Sequence, residues 1–151
     1  MTITLDYTGL EFDDDDAVLR AEETDFEYDL LFAELTFRVD AADFTLAESV
    51  PLLDAATRLR TIAYLLADGG ASSYESPASS EKLTFARSGD QVTISANYTD
   101  ATATVGLAEL QAATAAFHAR VTRDLLARYP GLDETSGASP YFAPPPARGP
   151  A

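Results

Sequence analysis

The sequence predicts an α+β fold: an antiparallel β-sheet made from two meanders, with two helices packed on one face and a disordered, Pro-rich C-terminal tail. Three observations predict it. Short runs of alternating apolar residues fall into two groups, one before residue 47 and one between residues 83 and 105. A stretch with apolar residues at helical spacing follows each group. Strand groups separated by only two helices indicate an antiparallel sheet with both helices on one face rather than a doubly wound parallel sheet. At 151 residues, 46% hydrophobic and 23% charged, the chain can bury a core as one domain.

Ile3 and Leu5 alternate with Thr2, Thr4 and Asp6, the pattern of a half-buried strand. Asp13-Asp14-Asp15-Asp16 interrupts it; four adjacent like charges repel, which predicts an exposed loop. Leu35, Phe37 and Val39 then share one face of a second strand, with Thr36 and Arg38 on the other. Asp40-Ala41-Ala42-Asp43 turns the chain into a short strand carrying Phe44 and Leu46. The first third thus reads as a meander with one wet, acidic face.

Ser49 is the expected N-cap of the first helix, with Pro51 in its first turn, where a missing N–H costs nothing. Leu52, Ala55, Leu59, Ile62, Ala63 and Leu66 form its apolar stripe, and Asp68-Gly69-Gly70 ends it. A polar, serine-rich segment with Pro77 leads to the second meander. There Leu83 and Phe85 alternate, Arg87-Ser88-Gly89-Asp90 turns, Val92, Ile94 and Ala96 alternate again, and residues 102–105 add a strand. The second helix starts near Leu107, buries Leu110, Ala113, Phe117, Val121 and Leu125, and stops at Tyr129-Pro130-Gly131. The two halves share this layout without a residue-level repeat. Periodicity is lost from Asp133, so the expected domain is 1–132 and the expected Pro/Ala/Gly-rich tail 133–151. Tyr141-Phe142 is the tail's one apolar pair, read as an incidental aromatic or a short docking peptide.

Charge is the most unusual property. The formal net charge is −15, and residues 1–48 hold fifteen of the 25 acids against only Arg20 and Arg38, a local −13. Residues 49–151 hold ten acids and eight bases, a local −2. Direct binding to a nucleic-acid backbone is not expected of such a chain, because it needs clustered Lys and Arg. General solubility, salt adaptation and an acidic docking face all remain open readings. A salt-adapted protein would spread its acidity more evenly. The expected docking residues are Asp13, Asp14, Asp15, Asp16, Glu22, Glu23, Asp25 and Glu27, and the expected partner is a basic protein.

No stretch approaches the roughly 20 apolar residues of a membrane span, and the N-terminus lacks a signal-peptide pattern, so the expected location is the cytoplasm. Nine arginines against Lys82 alone match a GC-rich genome. Cysteine is absent, and His118, the only histidine, lies beside the second helix's stripe, where a surface or boundary position is expected. His-pair zinc motifs, the Gly-x-Ser-x-Gly elbow, the Walker A loop and Gly-x-Gly-x-x-Gly are all missing. Asp13 to Asp16 fails as a calcium loop, since Val18 stands where Gly is needed and Thr24 where Glu is needed. No cofactor, metal or catalytic residue is therefore assigned.

Phe26-Glu27-Tyr28, the strand from Leu35 to Val39, the helix from Ser49 to Leu66 and the hairpin from Lys82 to Asn97 give a layout that resembles small bacterial α+β proteins of unknown function. It equally resembles the acidic immunity proteins of polymorphic-toxin systems. The resemblance covers roughly residues 20–126, rests on layout and charge, and carries over no functional residue. It implies a noncatalytic binding protein that docks a basic partner, such as a toxin it neutralises. The alternative is a scaffold or accessory subunit of a larger assembly, with a carboxylate-dependent hydrolase behind both.

Overall fold

The computed structural model describes residues 2–145. Its architecture is α+β, with two four-stranded antiparallel sheets and five helices around one core. The first sheet holds β1 (Ile3–Thr8), β2 (Phe32–Val39), β3 (Ala42–Asp43) and β4 (Val50–Pro51), with β2 central. Two short helices, α1 (Asp15–Leu19) and α2 (Glu23–Tyr28), sit in the β1–β2 connection. After α3 (Leu52–Leu65) comes the second sheet, β5 (Ala71–Glu75), β6 (Lys82–Ser88), β7 (Gln91–Ala96) and β8 (Ala103–Gly106), in sequence order. The long α4 (Leu107–Arg128) follows, then a 3₁₀ turn (Leu132–Glu134) and α5 (Ser139–Phe142).

The alternation read in β2 holds: Leu35, Phe37 and Val39 are buried, opposite Tyr7, Leu5 and Ile3 of β1. Asp40 takes a left-handed turn conformation (φ 51°), which Asp tolerates because its short side chain bonds locally. Its Oδ1 accepts the Thr2 N–H at 2.8 Å. The meanders form two sheets rather than one, because no strand of the first pairs with a strand of the second. Side chains join them: Phe37 meets Phe85 at 6.3 Å, and Tyr98 donates its hydroxyl to the Phe44 carbonyl at 2.6 Å. The half-hidden β5 was not expected, since serines at 72 and 73 mask its alternation.

The α3 stripe is buried as read, from Leu52 through Leu66. Its N-terminus differs: Pro51, not Ser49, is the N-cap. A residue before proline is pushed toward extended geometry, and Val50–Pro51 pair with Ala33 and Phe32 as a strand. The C-terminus also differs, because neither Gly69 nor Gly70 is left-handed. Instead Arg87 donates to the orphan carbonyls of Leu66 at 3.0 Å and Ala67 at 2.6 Å, a charged cap that also suits the helix dipole. α4 begins at Leu107 as expected, but its buried face is rotated to include Thr114 and His118, leaving Ala113 half-buried. The two long helices pack on each other; α3 also meets β2 and β5, and α4 meets β1 and β8.

The packed chain runs beyond the expected boundary at residue 132. Gly131 (φ 86°) reverses the chain after Tyr129, and Leu132, Ala138 and Tyr141 are buried. Residues 133–145 therefore belong with the domain, and the rest of the expected tail, 146–151, lies outside the described residues. Among the described residues no helix is long and apolar enough to cross a membrane.

Candidate functional site

The acidic segment is not a bare loop. Asp14 is the N-cap position of α1, and Asp15 and Asp16 occupy its first turn. Carboxylates there meet the positive end of the helix dipole, which offsets their mutual repulsion. Glu22 and Asp25 form a capping box on α2: each side chain accepts the other's backbone N–H, Asp25 that of Glu22 at 2.9 Å. Asp13 is half-buried, accepting the Leu31 N–H at 2.8 Å, while its carbonyl takes the Tyr129 hydroxyl at 2.7 Å. Asp15 pairs with Arg128 at 2.7 Å.

Glu27 belongs to a partly buried charge network. Arg58 reaches both Glu27 at 2.6 Å and Asp54 at 2.8 Å. Asp54 is nearly fully buried, and burial pushes its carboxyl up to about 6 despite the Arg58 charge. Tyr141 donates its hydroxyl to the Glu23 carbonyl at 3.1 Å, with Asp54 at 3.4 Å. The buried Tyr74 hydroxyl has no partner among the described residues, and burial, followed by the Asp54 charge, raises its pKa.

Of the eight expected docking residues, Asp13, Asp15, Glu22, Asp25 and Glu27 are thus engaged in holding the fold. Asp14, Asp16 and Glu23 are exposed, and their carboxylates make no hydrogen bond or ion pair among the described residues; the same is true of Glu11 and Asp29. Two of the most exposed large apolar side chains stand in this same segment, Phe12 at 56% and Tyr28 at 52%. Phe12 is steadied by the Arg128 guanidinium 5.5 Å from its ring centre. Sequence reading missed both aromatics because exposure, unlike charge, is not a local property.

His118 is buried, correcting the surface or boundary position expected of it. Helix α4 turns it toward α3 and α5, where its Nε2 contacts the Tyr141 carbonyl at 2.7 Å and its Nδ1 meets Arg60 at 3.2 Å. Arg60 can only donate, so Nδ1 accepts and Nε2 carries the proton. Burial and the Arg60 charge hold the imidazole below its usual pKa. Tyr141 is therefore locked into its own domain and unavailable to a partner in this conformation. Glu81, nearly buried, accepts the backbone N–H groups of Ala47 at 2.9 Å and Glu48 at 3.2 Å and the Ser79 hydroxyl at 3.1 Å. Among the described residues no group of three or more His, Asp or Glu side chains is placed to hold a metal ion.

No family model matches this chain, and neither do any of the curated proteins or solved structures.

Proposed function

We propose that the protein is a noncatalytic binding domain that docks a basic protein partner through residues 11–29. The observation that carries this reading is the pairing of exposed aromatics, Phe12 and Tyr28, with exposed carboxylates that make no hydrogen bond or ion pair among the described residues, Glu11, Asp14, Asp16, Glu23 and Asp29. Aromatic side chains supply much of the energy at protein interfaces, and a surrounding field of one sign speeds encounter with the opposite sign. An immunity-type inhibitor of a basic toxin fits this chemistry, as does any basic partner whose cationic cleft the carboxylates would occupy.

The test begins with affinity capture from the native host by the wild type and by a Phe12→Ala/Tyr28→Ala variant, followed by stopped-flow association with the partner that only the wild type retains. The combined substitution Asp14→Asn/Asp16→Asn/Glu23→Gln should slow association. Salt should mimic it, since the Debye length falls from about 10 Å at 0.1 M to about 3 Å at 1 M. Capture of the same proteins by the wild type and the Phe12→Ala/Tyr28→Ala variant, or an association rate unchanged by the charge substitutions, refutes the reading.

A further inference from the structure

We propose that the free edge of β1 and the neighbouring face of α4 form a second interaction surface, which accepts an extended basic segment of a partner protein as an added β-strand. This surface is distinct from residues 11–29 and stands whether or not those residues dock anything.

The register decides which backbone groups of β1 are free. In β2, the Leu35 and Phe37 carbonyls accept from Leu46 and Phe44, so those residues direct their backbone groups away from β1. Their β1 partners, Tyr7 and Leu5, and by the same alternation Ile3 opposite Val39, therefore direct theirs outward. The Asp40 N–H to Thr2 carbonyl bond at 2.9 Å places the ladder bonds on the even-numbered residues. Two outward groups are satisfied internally: Arg120 Nη2 donates to the Leu5 carbonyl at 2.9 Å, and the Tyr7 N–H bonds Asp6 at 2.8 Å. The Ile3 N–H and carbonyl, the Leu5 N–H and the Tyr7 carbonyl have no partner among the described residues.

A groove of about 330 Å³ runs beside this edge, lined by Ile3, Leu5, Ala113, Ala116, Phe117 and Arg120. Alanines at 113 and 116 leave room for side chains of an incoming strand, and the buried Arg120 Nε lacks an acceptor among the described residues. An edge strand beside a helix, with an apolar groove between them, is the geometry of peptide recognition by strand addition.

Charge selects the occupant. Asp40 stands at the Ile3 end and Glu34 beside Thr8 at the other, neither in an ion pair among the described residues, whereas Asp6 pairs with Arg120 and Asp124 with Arg123. A second copy of this chain would bring another −15 to the edge, which opposes β1–β1 pairing. The fitting occupant is an extended segment with small apolar residues at alternate positions and Lys or Arg at both ends.

Amide hydrogen exchange on the free protein is the first test: Ile3 and Leu5 should exchange fast while Thr4 and Asp6 are protected. The second uses fluorescein-labelled octapeptides of alternating Val and Thr with Lys at each end. Binding should be saturable by anisotropy and should protect the Ile3 and Leu5 amides. It should weaken when the flanking Lys become Glu and vanish when alternate peptide amides are N-methylated. Ile3→Pro removes an outward N–H at the first strand residue, where proline is tolerated, and Ala116→Tyr fills the groove from an exposed position. Each should weaken binding about tenfold or more, with folding checked by circular dichroism. Slow exchange at Ile3 and Leu5 in the free protein, absence of binding, or binding indifferent to both substitutions overturns the proposal. Binding lost only in the Asp14/Asp16/Glu23 variant does so too, since it assigns the peptide to the acidic segment.

Discussion

Replacing Tyr141 by Ala removes the side chain that fastens the C-terminal segment. The ring is 6% exposed and stands edge-on to Phe26 at 5.9 Å, and its hydroxyl bonds the Glu23 carbonyl. Truncating a buried aromatic in a rigid core costs about 3–5 kcal/mol. Here the loss is capped, because a segment near the chain end can detach and recover conformational entropy of roughly 1–2 kcal/mol per freed residue. The net expectation is about 2–3 kcal/mol, or roughly 6–9 °C in melting temperature at about 3 °C per kcal/mol for a domain of this size. Deleting residues 133–151 should cost a similar amount, since either change releases the segment. Tyr141→Phe, which loses only the hydroxyl, should cost about 0.5–1.5 kcal/mol. Thermal and urea unfolding followed by circular dichroism measure all three. A Tyr141→Ala or truncated protein melting within about 1 °C of the wild type would refute the docked segment, given that per-kcal scale.

Three further outcomes follow from the buried polar groups. The Asp54 carboxyl keeps its proton up to about 6 in the fold, whereas an unfolded Asp releases it near 4, so its contribution to stability is fully present below about pH 4 and lost as pH rises through 6. Asp54→Asn should therefore improve relative to the wild type by about 2–3 kcal/mol between pH 4 and 7 in urea unfolding; a constant difference would contradict it. His118 is held below its usual value, so NMR titration of this imidazole should give a midpoint under about 6.5, and its contribution should be lost as pH falls through that range; a midpoint above 6.5 would contradict its burial. Glu81→Ala strands the N–H groups of Ala47 and Glu48 and should cost about 2–3 kcal/mol in urea unfolding, with Glu81→Gln milder. Equal losses would contradict this, because Gln keeps the shape of Glu81 and one of its two acceptor oxygens.

The sequence by itself determined the α+β class, the β2, β6 and β7 strands, the stripe of α3, the start of α4 and its stop at Tyr129-Pro130-Gly131. These rest on local periodicity and on backbone limits of Pro and Gly, which need no knowledge of distant residues. It also located the excess acidity in the first third, since charge is a sum over composition. Only the tertiary structure decided which acids are free. Asp15 finds Arg128 and Glu27 finds Arg58, partners 113 and 31 residues away, and no local pattern announces such pairs. The same holds for His118, whose burial depends on α5 arriving across α3 and α4, and for Tyr141, whose pocket is built by Phe26, Glu23 and Asp54. Residues 133–145 lack any period because they pack as one anchored turn rather than a repeating face. Their place is set by long-range contacts that a reading of neighbours cannot reach.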